Sequence, residues 1–308
     1  MKINTRSYRD EEDYSCIRSL LQEIYAITGP PIYCTVGELD YLRFMCYNDP
    51  DAAITTARLW EKADGTLIGV AWPGSPEDEE VSLFVHPHYH DINDDMLAWA
   101  ESWYLQTSLD EEDTLPLETR CLETDVSLKA TLRRRGYKRT GYYDHWHKLR
   151  SLNESIPEVN LPAGYSMRHA KGTEDAERIM EVHWSAFPHN NRTLKGRKTL
   201  MLRSPTYRPE LDLVVVAPDG NFASMALVSY DERNRLGMFE PVGCHENHRR
   251  GGLTKALICE GLRLLKGLGA TVAAVGAEGD NVPSNALYES LGFRTQDYNY
   301  LWKRILRR

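Results

Sequence analysis

The spacing of apolar and polar positions resolves the second half of the chain into elements. LDLVVVAPDG, NFASMALVSYDERNR and LGMFEPVGC are dense in β-branched and aromatic residues and are separated by Asp-Gly and Asp-Glu-Arg-Asn turns, which predicts a three-stranded meander. Ahead of it, GTEDAERIMEVHWSAF opens with acidic and Thr N-cap material and continues at a helical period. After it, Leu257, Gly261, Leu264, Leu265 and Leu268 recur at i, i+4, i+7, i+8 and i+11, which predicts a helix from about Leu253. ATVAAVGAE then reads as a short buried strand and residues 283–290 as a further helix. In the first half, TLPLETRCLE stands in the place of that buried strand.

The two halves resemble each other. Residues 149–163, LRSLNESIPEVNLPA, are polar, carry two prolines and show neither strand nor helical period, so they read as a linker. This predicts domains at 1–148 and 164–308. At an offset of 162 positions Arg6 meets Arg168, Glu12 meets Glu174, Asp13 meets Asp175 and Ile17 meets Ile179. Near the ends of the halves, DVSLKATLRRRGY from Asp125 aligns without gaps on NVPSNALYESLGF from Asn281, matching Val126 to Val282, Ala130 to Ala286 and Gly136 to Gly292. Matches in the same order at both ends point to an internal duplication.

Composition narrows the class. The 308 residues are 42% hydrophobic and 27% charged, as expected of a folded globular protein with more than one domain. No apolar run approaches the ~18 residues of a membrane span, and the N-terminus lacks a signal-peptide core, so a cytoplasmic protein without membrane contact is expected. The six cysteines are scattered with no metal-ligand spacing, which predicts reduced thiols and no metal site; His245 and His248 read as loop residues. A net charge of -8 argues against a nucleic-acid surface. A monomer is the simplest state, with a homodimer open.

The chemistry concentrates in HENHRRGGLTKAL, between the strand ending at Cys244 and the Leu253 helix. Gly251 and Gly252 permit a tight curl just before a helix, so backbone N–H groups and the positive end of the dipole meet at one point, a fit for a pyrophosphate. Arg249 and Arg250 add charge there. A bare strand-to-helix turn with solvated arginines would look the same.

Arg249-x-x-Gly252-x-Thr254 resembles the Q/R-x-x-G-x-G/A signature of the GNAT acyltransferases, and Asn281 to Phe293 resembles their second signature, over about 164–308 and in worn form over 1–148. Thr254 departs from the usual Gly or Ala, although a hydroxyl at a helix start can face phosphate. The resemblance implies an α/β fold of two tandem GNAT domains, each a mixed, mostly antiparallel sheet flanked by helices. It implies acetyl-CoA as co-substrate, with its pantetheine arm at Val242, Gly243, Cys244 and Asn281 and its pyrophosphate at Arg249, Arg250, Gly251, Gly252, Leu253 and Thr254. It also implies direct acetyl transfer to a small-molecule or peptide amine in a ternary complex, with Tyr288 as general acid. A base is needed because an alkylamine with a pKa near about 10 arrives protonated. Glu240, in phase with Val242 and Cys244 on its strand, is the candidate. Each assignment has a plainer counterpart: Asn281 as a helix-start turn residue, Tyr288 as packing, Glu240 as a structural carboxylate. A non-catalytic acyl-CoA sensor or scaffold is the rival reading of the whole. His183, Trp184 and Phe187 lie between the early helices, where the fold usually builds substrate contacts, and packing suits the two aromatics as well.

In the first half the corresponding positions differ. Asp125 stands for Asn281 and Leu132 for Tyr288, and HPHYHDINDDMLAWAESWYLQ contains no Gly, Arg or Lys where a phosphate turn would lie. Asp91, Asp94 and Asp95 would repel a pyrophosphate. A degenerate first domain without its own CoA site is expected, and catalysis by the second.

Overall fold

One order of elements occurs twice along the chain. A computed structural model describes residues 2–75, 78–110 and 112–308. The first half runs β1 (Ile3–Ser7), α1 (Glu11–Thr28), α2 (Val36–Tyr41), α3 (Pro50–Thr55), β2 (Arg58–Lys62), β3 (Leu67–Trp72), β4 (Ser82–Val85), α4 (Asn93–Thr107), β5 (Thr114–Leu122), α5 (Val126–Arg134) and β6 (Lys138–Ser151). The second runs β7 (Ser166–His169), α6 (Ala176–Ala186), α7 (Leu194–Arg203), β8 (Asp212–Val216), β9 (Phe222–Asp231), β10 (Leu236–Cys244), α8 (Leu253–Gly267), β11 (Val272–Glu278), α9 (Val282–Ser290) and β12 (Arg294–Arg307). Only α3 interrupts the correspondence.

The halves repeat each other in contacts as well. Arg6 makes a two-pronged ion pair with Asp13 at 2.7 and 2.6 Å, and Asp13 also accepts the Arg9 N–H at 2.8 Å. At the same offset of 162, Arg168 pairs with Asp175 at 2.6 and 3.0 Å, and Asp175 accepts the Lys171 N–H at 2.8 Å.

The chain forms two compact units. The first comprises Met1–Tyr33, Asp49–Trp146 and Asp297–Arg308; the second comprises Cys34–Asn48 and His147–Gln296. These units depart from the 1–148, 149–163 and 164–308 partition in three ways. β6 runs through Ser151, into the expected linker, and beyond it Leu152, Ile156, Val159 and Leu161 pack on the cores of the second unit, because the polar stretch carries apolar residues at wide spacing. The C-terminal strand joins the first unit, where β12 pairs antiparallel with β5 from Asn299↔Leu122 to Arg307↔Thr114 and buries Trp302 and Leu306 against Leu115, Leu117 and Leu132. Residues 34–48 join the second unit. There the Asp40 carboxylate accepts the Thr206 N–H at 3.0 Å and hydroxyl at 2.7 Å, and Lys195 donates to the Asn48 carbonyl at 3.0 Å. A Cβ on Gly196 would lie 2.5 Å from the Met45 carbonyl oxygen, so α7 approaches this segment as closely as backbone permits.

Within the first unit, β1, β2, β3 and β4 form an antiparallel sheet in that order. In the second unit the order β11-β10-β9-β8-β7 is antiparallel except for the parallel pair β10 and β11. Helix α8 seats on this sheet by its apolar stripe, with Leu257, Ile258, Leu262 and Leu265 buried. Two glycines allow the approach. A Cβ on Gly237 would fall 2.2 Å from Leu265 Cδ1, and one on Gly261 would fall 2.6 Å from Phe239 Cε1. The helix stops at Gly267, so Leu268, expected on the apolar stripe, is an exposed C-cap residue.

Candidate active site

The site begins where two parallel strands part. β10 and β11 pair from Leu236↔Val272 to Phe239↔Val275 and no further. β10 continues to Cys244 against β9 alone, with a register shift between Phe239 and Val242 that makes a bulge of Glu240 and Pro241. Bulges re-aim side chains, and Pro241 has no N–H to return to a ladder. The diverging strand is held from behind. Ser224 donates its hydroxyl to the Gly243 carbonyl at 2.7 Å, and Val242 packs on two of the hydrophobic cores. Gly243 is required on packing grounds: a Cβ there would lie 2.9 Å from Ala186 Cβ and 3.3 Å from Phe187 Cε2. Burial raises the Cys244 thiol above its ordinary range, an effect that its contacts with Thr254 and Ser224 partly offset, so it is a poor nucleophile.

Beyond Cys244 the chain turns into α8. Arg250 and Gly252 both take left-handed backbone, with φ of 67° and 74°. Gly252 is the N-cap, and no side chain among the described residues caps the first N–H groups of the helix. A Cβ at Gly252 would meet nothing within 4 Å, so the space over these donors is open. The combination suits an anion at the helix start. Leu253 is 2% exposed and anchors the helix in the core, so only its N–H faces the turn. Arg249 is pinned, donating to the Ser185 carbonyl at 3.2 Å and reaching that of Cys244 at 3.5 Å. Arg250 is exposed, and its side chain makes no hydrogen bond, ion pair or ring contact with another described residue, which leaves its charge available to a ligand. The Thr254 hydroxyl pairs with Ser224 at 3.2 Å, so it serves the splayed strand more than the turn.

On the other side of the splay, Asn281 is the N-cap of α9, its side-chain oxygen accepting the Ser284 N–H at 3.2 Å. Its Nδ2 remains free to donate. Tyr288 is 6% exposed, rests edge-on against Phe293 at 6.1 Å, and its hydroxyl bonds to no described residue. Burial pushes its phenol well above the ordinary range, and the negative charge of Glu240 adds to the rise. Glu240 therefore lies within electrostatic reach of Tyr288.

Residues 34–48 also come within electrostatic reach of Glu240, a proximity that no motif or period in the sequence predicts. Burial, followed by the carboxylates of Glu38 and Glu240, raises the Cys34 thiol; burial, followed by Cys46 and Glu240, raises the Tyr41 phenol, which Arg192 and Arg197 partly counter. Glu38 completes a capping box with Thr35 and has both carboxylate oxygens 2.9 Å from His147 Nε2. Burial works to raise Glu38, and the His147 ring and the Thr35 hydrogen bonds outweigh it and hold the carboxyl below its ordinary value. Asn285 also escaped the sequence reading: 8% exposed, it donates to the Glu278 carbonyl at 3.0 Å while its own oxygen has no partner. A buried amide seven residues after a strand-end glutamate is the only trace it leaves in the sequence. His183 is buried, whereas Trp184 is exposed and donates to the Arg192 carbonyl at 2.9 Å. His248 accepts or donates to the Tyr165 hydroxyl at 2.9 Å, and His245 accepts the Asn247 N–H at 3.3 Å. Among the described residues no group of three or more His, Cys, Asp or Glu is placed to hold a metal, and no helix is long and apolar enough to cross a membrane.

In the first unit, Leu132, at the Tyr288 position, is fully buried core. Asp125, at the Asn281 position, caps α5 through the Leu128 N–H at 2.8 Å. Asp94 is taken up by Arg134 at 2.8 Å and Arg135 at 3.1 Å, and Arg135 also pairs with Glu101 at 2.7 Å.

Residues 176–293 match the acetyltransferase (GNAT) family. The mycothiol acetyltransferase of Streptomyces coelicolor is 30% identical over 155 residues, 48% of this chain and 48% of that protein, and that of Salinispora arenicola is 29% identical over 245 residues, 75% and 76% of the two chains. The match thus spans about half the length of the Streptomyces relative. Among solved structures, a GCN5-related N-acetyltransferase from Sphaerobacter thermophilus aligns over 99% of this chain and 96% of its own, with a TM-score of 0.69 at 18% identity. A tandem GNAT protein from the clavulanic acid biosynthesis pathway aligns over 99% and 98%, with a TM-score of 0.68 at 19% identity. The parallel pair β10 and β11, splaying into the start of α8, agrees with these similarities: the chain has the tandem GNAT fold, matches the GNAT acetyltransferase family over residues 176–293 and resembles the mycothiol acetyltransferases.

Proposed function

We propose that the protein is an N-acetyltransferase whose second unit moves an acetyl group from acetyl-CoA to an amine by direct attack. One observation carries this reading: the buried, otherwise unbonded Tyr288 hydroxyl and the bulged Glu240 act on each other electrostatically at the mouth of the splay. The similarity to mycothiol acetyltransferases supports acetyl transfer to an amine, and GNAT acetyltransferases generally use acetyl-CoA.

The chain's residues fit that co-substrate. The uncapped N–H groups from Gly252 onward, with Arg250 beside them, would hold the pyrophosphate. Nδ2 of Asn281 and the edge of β10 at Val242–Cys244 would meet the amide-rich arm. The bound thioester would supply an activated acetyl group.

The remaining work belongs to two side chains. Glu240 takes a proton from the arriving ammonium group, directly or through water, freeing the nitrogen lone pair. Tyr288 keeps its proton, because burial and Glu240 both oppose its loss, and can give it to the departing sulfur. Holding amine and thioester together accounts for much of the acceleration. No cysteine is needed as an acyl carrier, in keeping with the raised thiol of Cys244.

The first unit in this reading keeps the fold and has lost the cofactor site, since Leu132 is core and Asp94 is neutralised within its own unit. Measuring CoA release from acetyl-CoA across a panel of amines tests the proposal. Turnover with at least one amine, lost in Tyr288→Phe, is expected; tight acetyl-CoA binding without turnover on any amine would favour a sensor or scaffold.

A further inference from the structure

Five buried polar atoms near the end of α6 have no hydrogen-bond partner: both ring nitrogens of His183, Nε of Arg192, Nε of Arg197 and Oδ1 of Asp212. Native proteins leave few such atoms, and a group of them calls for a ligand or ordered water. Arg197 and Asp212 are 2% and 1% exposed and pair with each other at 2.5 Å, and Tyr207 donates to the same Asp212 oxygen at 3.0 Å, so their charges cancel. Arg192 differs. Its backbone N–H bonds to Asn190 and its carbonyl receives Trp184, but its guanidinium has no partner among the described residues. His183 is 1% exposed. Burial, then the charges of Arg197 and Arg192, pushes its imidazole down to about 4 against a weaker opposing effect of the nearby Asn190 side chain, which lies too far or too poorly aligned for a hydrogen bond, so it is neutral at pH 7 and offers one donor and one acceptor.

This group adjoins the catalytic space. His183 lies against Phe187, ring centroids 5.0 Å apart and planes tilted by 48°, and the Phe187 ring would touch a Cβ on Gly243 in the splayed strand. Ser185, two residues on from His183, receives Arg249 of the phosphate turn. The buried Tyr41 is within electrostatic reach of both Glu240 and Arg192. Arg192, whose guanidinium bonds to no described residue, thus lies within electrostatic reach of the neutral His183 and of Tyr41, and Tyr41 lies within reach of Glu240.

Resting on the acetyltransferase reading above, we propose that Arg192 and His183 form an oxyanion-recognising subsite of the acceptor pocket, so that the amine acetylated here also carries a carboxylate. Arg192 provides the charge and a planar pair of donors, and His183 provides a further N–H that is already desolvated. Glu240 at the other end selects the ammonium group of the same molecule. An amino acid, or a larger amine ending in a carboxylate, has this polarity.

Two measurements on the full chain test it. In the first, the CoA-saturated protein is titrated with sodium acetate at constant ionic strength held by chloride, while the His183 ring resonances are followed by NMR. A saturable shift that disappears in Arg192→Gln is expected; absence of a saturable shift overturns the subsite whether or not the protein turns over. In the second, CoA release is compared for glycine with methylamine, β-alanine with ethylamine, and γ-aminobutyrate with propylamine. At least one acid should exceed its matched amine in kcat/KM by about 10- to 100-fold, the range for a charged hydrogen-bonded contact. Arg192→Gln should lower kcat/KM for the acid much more than for its matched amine and so remove that preference, and Arg192→Lys should restore part of it. Equal use of acids and amines overturns the subsite while leaving the enzyme reading intact. A saturable acetate shift without turnover on any amine would keep the subsite and refute the enzyme.

Discussion

Asn281 and Asp125 do the same structural job 156 positions apart: each starts a helix by accepting an N–H three residues on, Ser284 at 3.2 Å and Leu128 at 2.8 Å. The amide and the carboxylate differ only in what the second side-chain atom can do. Asn281→Asp should therefore keep the cap and the melting temperature but weaken acetyl-CoA binding, since it removes a donor and adds a negative charge. Asn281→Ala should also lose about 1 kcal/mol of stability with the cap. Calorimetric titration beside thermal unfolding separates the two effects, and unchanged affinity in Asn281→Asp would confine Asn281 to capping.

Tyr288→Phe removes a hydroxyl that bonds to no described residue, so folding should be little affected. The turnover number should fall on the order of 10²-fold with acetyl-CoA affinity nearly constant. Because the phenol is held well above its ordinary range, the wild-type rate should show no alkaline decline from Tyr288 up to about pH 10, its reference value. A wild-type rate in the variant, measured where chemistry limits turnover, would reduce Tyr288 to packing.

Gly252 sits at φ 74° with open space around it. Gly252→Glu places a strained backbone and a negative charge at the uncapped N–H groups, and acetyl-CoA affinity should drop at least about tenfold, one 1.4 kcal/mol step. The control is Gly269, which has φ 92° and lies just beyond the opposite end of α8; Gly269→Glu should cost stability without changing affinity. Equal affinities for the two variants and wild type would remove the turn from the site.

Titration of the full chain should reach one acetyl-CoA per chain, because the first unit has core Leu132 and ion-paired Asp94 where a second site would need Tyr and open donors. A stoichiometry of two would restore a working site to the first unit.

The Arg168–Asp175 pair makes stability depend on pH with a definite sign. Its hydrogen bonds to Arg168, ahead of the opposing effect of burial, hold the Asp175 carboxyl below its ordinary value. A depressed carboxyl contributes stability above its unfolded pKa of about 3.9, and that contribution disappears as pH falls through the lower folded value. Asp175→Asn should cost about 1–2 kcal/mol at pH 7, and the gap to wild type should close below about pH 4. Thermal melts from pH 7 to pH 3 read this directly. A gap that is constant with pH would assign the pair a packing role only.

Much of this protein is local, and the local part is legible in the sequence. The i, i+4, i+7 stripe predicted α8 because a helix buries one face, and the glycine pair before it predicted the turn, in which Gly252 and Arg250 take left-handed backbone. Arg6 and Asp13, like Arg168 and Asp175, lie seven residues apart, so the duplication shows in the sequence as well as in the ion pairs. Tertiary structure alone decided which residues share the pocket. Tyr41 and Cys34 come within electrostatic reach of Glu240, about two hundred positions away in the chain, and no period or motif encodes such a contact. The orphaned nitrogens of His183 are equally invisible in one dimension. A histidine on a helix face looks the same whether its ring is bonded, solvated or idle, and only the fold, by excluding water and placing Arg192 beside it, leaves it idle.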